Sequence, residues 1–331
     1  MKERNVLIDY IKGLAIISVI CAHCNSVLDS SNQFAVGSSL LLQNIGTFGV
    51  ICFFVISGVL FHHPGKDIGR FLKKKVNNIV IPWMISSTCV YLYVYLRKPP
   101  VSFKSWINFV LGNGSYCYYL TVLMVLYLLF ILIPLMQTNF VLILCEVITI
   151  FSTIWFYSIG NINPYLNILN WIGYFALGVQ ISQNLQIWQK IKKIFCSYFW
   201  FWIFVIGEVL ILGIQLYNRN GGGYWKGLNV IFCWWGAITL VLLAWQCNKN
   251  KSCIVSKIIR QAGVDSFAVY IWHMPVAGII ARIMCIEHFN WFVLFRPVII
   301  LAIMLLAFLG AKQIIKRTKK YQIETYIGLH M

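Results

Sequence analysis

The stretch IDYIKGLAIISVICAH, Ile8–His23, is apolar enough to enter a lipid bilayer, yet it carries an aspartate, a lysine and a histidine. On a helix each residue turns the chain by about 100°, so Lys12 and His23 differ by only about 20°. Asp9 lies within about 60° of Lys12 and about 40° of His23. The three side chains therefore share one stripe. Ionisable groups are costly in hydrocarbon, so that stripe must face protein or a water-filled cavity. For Asp9 and Lys12 two readings stand: they snorkel to the near end of the helix and pair, or they work. His23 lies too far along to snorkel that way. It is a satisfied interior histidine, one at the far boundary, or a reacting group.

The rest of the chain repeats the apolar pattern. Of 331 residues, 60% are hydrophobic and 11% charged, and the mean hydropathy is +0.77. A soluble globule is about 45–50% apolar and about 25% charged. Runs close to a membrane span recur throughout, so the expected fold is all-α, a polytopic helical bundle forming one domain over residues 1–331 with no separate soluble domain. Ten spans are expected: Leu7–Val27, Leu42–Phe61, Ile79–Leu96, Tyr118–Met136, Phe140–Ile159, Leu166–Ile181, Phe195–Tyr217, Leu228–Cys247, Val264–Cys285 and Trp291–Ile314. Leu166–Ile181 is short for a bilayer of about 30 Å. Gly46, Gly49 and Gly58 loosen the second span, which could be broken or re-entrant. The first run is no cleavable signal: it is long, Asp9 and Lys12 interrupt it, and no small-residue cleavage site follows.

Basic residues orient the chain. Of the 27 lysines and arginines, nineteen fall in segments that share the side of the N-terminus, among them Lys2, Arg4, Lys66, Arg70, Lys73, Lys74, Lys75, Lys319 and Lys320. Arg97, Lys98, Lys104, Arg219 and Lys226 fall on the other side, and Lys12, Arg282 and Arg296 within spans. The positive-inside rule then puts both termini in the cytoplasm. The net charge of +18 sits where anionic membrane lipid would meet it, and no nucleic-acid module is present. Eleven cysteines are scattered along the chain, most of them in apolar runs, and Cys21 and Cys24 alone have C-x-x-C spacing. They read as packing residues, with a bond from Cys21 or Cys24 to Cys117 as a remote alternative.

Helical rise separates Lys12 from His23 by roughly 16 Å, so neither Lys12 nor Asp9 can bond the imidazole directly. An extended acyl carrier with an anionic head and a reactive tip, the shape of coenzyme A, could touch both ends of the stripe.

Five segments, in order, resemble acyltransferase family 3, the integral-membrane O-acyltransferases of bacterial glycans. Asp9, Lys12, Gly13 and His23 match its first-helix motif. FFVISGVLF (Phe53–Phe61) resembles its FFxxSG segment, and FLKKKVNNIVIPW (Phe71–Trp83) its basic stretch before a Pro-aromatic pair. YYLTVLMVLYLLF (Tyr118–Phe130) and VYIWHMPV (Val269–Val276) resemble its fourth helix and its late Y-L/I-x-H-x-P segment. Two positions depart from the pattern. Lys12 stands where arginine is common, keeping the charge without the bidentate fork. A pair of arginines at the third helix appears as Lys75 and Asn78.

The resemblance implies acyl transfer from acetyl-CoA or another acyl-CoA to a hydroxyl of a glycan or lipid-linked glycan, in a bacterial inner membrane and without a metal. His23 would be the general base, on a helix shared with Lys12 and Asp9. A histidine acyl-enzyme is the other route. Arg70, Lys73, Lys74 and Lys75 would hold the donor's phosphates, Lys75 foremost, although topology alone also accounts for their charge. Ser57 would line the channel or serve close packing. His273 is a second-site histidine or a structural hydrogen bonder, and Asp265 reads as a helix cap. His62 and His63 read as interfacial. Glu146 and Glu208 are buried acids with no assigned role. The alternative function is a transporter or flippase for a small solute or lipid-linked glycan, or a scaffold for envelope synthesis. No inverted repeat supports transport.

Overall fold

The computed structural model describes residues 5–24, 31–65, 67–95, 101–195, 197–283, 290–318 and 325–329. Lys2, Arg4, Lys66, Arg97, Lys98, Lys319 and Lys320 lie outside them. The chain is helical, with no strand among the described residues. In order the helices are α1 (Val6–His23), α2 (Gln33–Gly46), α3 (Phe48–Val59), α4 (Ile68–Lys75) and α5 (Ile81–Tyr95). Then come α6 (Phe103–Val110), α7 (Tyr118–Leu132), α8 (Asn139–Trp155), α9 (Ile172–Gln183) and α10 (Leu185–Phe195). The last are α11 (Tyr198–Tyr217), α12 (Leu228–Lys249), α13 (Ile254–Val264), α14 (Ser266–Ile283) and α15 (Arg296–Thr318).

Among the described residues, six helical segments are long and apolar enough to cross a membrane, or seven if the pair α13–α14, bent by 90°, is one span. This multi-pass membrane protein does not match the expected ten spans one for one. Three expected spans are helices of 15, 17 and 12 residues, α7, α8 and α9. At 1.5 Å per residue these reach only about 18–26 Å against a core of about 30 Å. The reason is local. Pro134 converts the end of α7 into a tight 3-10 turn. Before α9, the side chains of Asn163 and Asn167 accept from the amides of Tyr165 and Leu169 and wind two more such turns.

The chain divides into two compact units. Unit one comprises residues 1–56 and 184–306, unit two residues 57–183 and 307–331.

Unit one is built around α1. Its most extensive partner is α13, and α2, α12 and α14 also pack on it. Small residues set the closest approaches. A Cβ on Gly13 would collide with the carbonyl oxygen of Ile259, and one on Gly263 with that of Asp9. The motif glycine beside Lys12 is thus where α1 and α13 touch backbone to backbone. Tyr10, Ile259 and Ala244 close the core there.

The second span is broken, at Thr47 between α2 and α3. Gly49 N–H would ordinarily bond the Ile45 carbonyl four residues back. Instead the Ser18 hydroxyl of α1 stands between them, donating to Ile45 O at 2.6 Å and accepting from Gly49 N at 2.8 Å. A side chain inserted in the helical ladder is a known cause of a kink.

Unit two holds an aromatic core. Phe61, Tyr127, Phe130 and Phe175 meet with ring centroids 4.8–6.1 Å apart. Gly58 is the contact point with α9: a Cβ there would strike the Phe175 carbonyl oxygen. Between α4 and α5 the chain makes a π-helical turn, Val76–Val80, and Ile81 N–H bonds the carbonyl of Val76, five residues back. Pro82 explains it. Lacking an N–H, it leaves the Asn78 carbonyl without the usual donor, and the ladder shifts register.

Candidate active site

The α1 stripe forms as the sequence predicts, in one unbroken helix from Val6 to His23, capped by the Asn5 side chain on Leu7 N. Asp9 is buried, 2% exposed, while Lys12 and His23 are half-buried.

His23 does not stand by itself. Its ring centroid lies 5.1 Å from that of His273, with the planes tilted by 45°. His273 is fully buried on α14. Its Nδ1 is 2.6 Å from the carbonyl oxygen of Tyr270. A carbonyl only accepts, so Nδ1 carries the proton and donates. In the neutral ring Nε2 is then the basic nitrogen. Pro275, two residues on, removes the amide that would bond the carbonyl of Ile271, so α14 departs from a regular ladder next to this histidine. Arg296, buried at the start of α15, lies within electrostatic range of Cys24, the residue after His23.

Two imidazoles side by side inside an apolar bundle can pass or hold a proton, and one ring can orient the other. The His273 partnership is the element that sequence reasoning left undecided. The signal was the YIWHMP segment; the pairing itself is tertiary. Asp265, expected as a cap at a helix start, stands at the junction of two helices, its backbone carbonyl accepting from Val269 N–H of α14. It caps the C-terminal end of α13 at the bend before α14, and its Oδ2 accepts from Gln261 Nε2 at 2.6 Å.

In unit two, Ser57 Oγ lies 3.1 Å from Tyr119 Oη. The four basic residues of α4 differ from one another. Arg70 is exposed and reaches Asp67 at 3.4 Å. Lys73 and Lys74 are exposed. Lys75 turns inward: its Nζ lies 4.0 Å from the ring centre of Tyr127 and 5.2 Å from that of Phe71. The negative faces of aromatic rings attract an ammonium group, so Lys75 is held at a fixed point while its neighbours sample solvent. His62 and His63 are exposed, His63 receiving Gly65 N–H on Nδ1 and reaching Ile131 O at 3.3 Å through Nε2.

Every described cysteine is a free thiol, Cys21, Cys24 and Cys117 included, so the alternative of a bond among them is not realised. Glu208 is 7% exposed and both its carboxylate oxygens lack a hydrogen-bond partner among the described residues.

No curated protein and no solved structure matches this chain. A family model does: Acyl_transf_3, described as an acyltransferase domain, aligns with residues 5–312, from the cap of α1 into α15. A bundle of membrane-spanning helices that keeps a paired histidine in its interior, and matches that model over nearly its whole length, belongs to the acyltransferase family 3 of membrane enzymes.

Proposed function

We propose that this acyltransferase moves an acyl group, acetyl in the first instance, from acyl-CoA to a sugar hydroxyl of a surface glycan or its lipid-linked precursor. Its place is a bacterial inner membrane, with both termini in the cytoplasm. The observation that carries the reading is His23 beside His273 in the interior of unit one.

A sugar hydroxyl is a weak nucleophile at neutral pH. As its oxygen attacks the thioester carbonyl, a C–O bond forms and the hydroxyl proton passes to His23. Collapse of the tetrahedral intermediate breaks the C–S bond, and His23 returns the proton to the departing sulfur, which leaves as the CoA thiol. His273 acts as a positioning residue: anchored to the Tyr270 carbonyl, it fixes the ring against which His23 lies. Arg296 supplies positive charge at the same end of α1 for the developing oxyanion. Donor binding is assigned to Lys75, Lys74 and Arg70, with Ser57 on the adjoining helix. The transporter and scaffold alternatives lose their ground with the membership of an acyltransferase family.

The test compares O-acylation of surface glycans in cells making wild-type protein or His23→Ala at equal abundance. General-base catalysis contributes about 10²–10⁴-fold, so acylation falls by about that factor. Acylation kept at the wild-type level would remove His23 from the mechanism.

A further inference from the structure

Away from the histidine pair, unit one contains a cavity of about 310 Å³ where α11 gives way to α12. Its walls include four side-chain amides, those of Gln215, Asn218, Asn220 and Asn229, with Lys226 and an apolar side made in part by Phe232. Gln215 is only 6% exposed, and its amide makes no hydrogen bond to another described residue. The residue is enclosed while its amide stays open to the cavity it lines, so its donors and acceptor are free to meet whatever fills that space.

The lining chooses the ligand's chemistry. Each amide both donates and accepts, which matches vicinal hydroxyls. Several of these groups are unspent. Asn218 also makes no side-chain hydrogen bond, and Asn220 uses its Nδ2 on Asn229 Oδ1 at 3.2 Å, leaving Oδ1 to accept. Asn229 Nδ2 reaches Trp225 O at 3.4 Å. With a single cation and no carboxylate in the wall, neither a phosphate nor a cation is favoured. Phe232 in the wall adds an aromatic side chain, a kind of apolar surface that suits the C–H face of a sugar ring. The volume lies at the small end of ligand pockets, about 300–1,000 Å³.

The cavity is preformed. The loop that rims it carries two non-glycine residues in the left-handed region, Arg219 at φ 52° and Lys226 at φ 71°. Such backbone persists only where its surroundings hold it. Here α2 holds it: Arg219 Nη2 donates to Gln33 Oε1 at 2.9 Å, and Asn44 Nδ2 donates to the Asn220 carbonyl at 3.1 Å. Gly222 lies so close to Gln43 that a Cβ would strike its carbonyl oxygen. The same helix touches the histidine's neighbour, since Gly46 packs against Ala22. Through α2 the cavity and His23 occupy one end of unit one.

We infer that this cavity is the subsite that binds a neutral sugar ring of the acceptor glycan, with Gln215 and Asn218 as its specificity-determining contacts. The inference rests on the glycan reading above. The test uses the purified full-length protein in lipid nanodiscs. The probes are acetyl-CoA and two- to four-residue oligosaccharides hydrolysed from the producing cell's surface polysaccharide. For Gln215→Leu, which keeps the buried volume, and for Asn218→Ala at an exposed position, the KM for oligosaccharide rises at least tenfold. The kcat and the KM for acetyl-CoA stay within about twofold of wild type. Wild-type oligosaccharide KM in both variants overturns the cavity assignment and leaves the transferase reading standing. If wild-type protein binds the oligosaccharide by equilibrium dialysis without acylating it, and Gln215→Leu does not bind, the cavity stands and the glycan-acylation reading falls. Neither binding nor transfer by wild type overturns both.

Discussion

The bond from His273 Nδ1 to the Tyr270 carbonyl decides which edge of that ring is basic, and the acceptor that sets it is a neutral backbone oxygen. If the ring's task is to position His23, the two histidines act as a unit and their losses do not add. His273→Ala therefore slows acyl transfer less than His23→Ala, and the double variant is no slower than His23→Ala within about threefold, measured as kcat/KM on purified protein. Strictly additive losses would separate the two residues. At this scale the sequence was uneven. His23 was legible because a histidine in a span must be explained. Its partner was not, because 250 residues of chain separate them and only the packing of α14 on α1 joins them. Lys75 was singled out by the resemblance alone; Phe71, one turn earlier on α4, was within reach of helical spacing, while the Tyr127 ring that also holds it comes from α7.

Among the helices, the contact of α1 with α13 rests on two glycines facing carbonyl oxygens. Overpacking such a contact costs about 1–3 kcal/mol. Gly13→Ala should lower the midpoint of thermal unfolding in detergent. Gly37→Ala, in α2 with nothing within 4 Å of the added carbon, should raise it by the helix-propensity gain of about 0.5–1 kcal/mol. A Gly13→Ala protein as stable as wild type would show that the two helices separate at little cost. The motif position after Lys12 was readable as a small residue, but its reason was not. The ends of α7, α8 and α9 were also hidden, because hydropathy runs on through Pro134 and the Asn163–Asn170 segment while the backbone there turns into 3-10 geometry.

For the molecule as a whole, composition settled the class: the apolar excess leaves little besides a helical membrane protein, and the bundle follows. Topology was read from lysine and arginine placement, and it can be checked on the α11–α12 loop. Alkaline phosphatase fused within residues 218–227 should be active on whole cells, and the same enzyme fused after Met331 inactive, since it folds only outside the cytoplasm. The reverse pattern would invert the bundle and put the cavity on the donor's side. One consequence follows from Ser18. Its hydroxyl supplies what Ile45 and Gly49 would otherwise give each other, so the interruption of the ladder at Thr47 is stabilised from outside its own segment. Remove that hydroxyl, as in Ser18→Ala, and a donor and an acceptor inside the bundle lose their shared partner on the histidine-bearing rod.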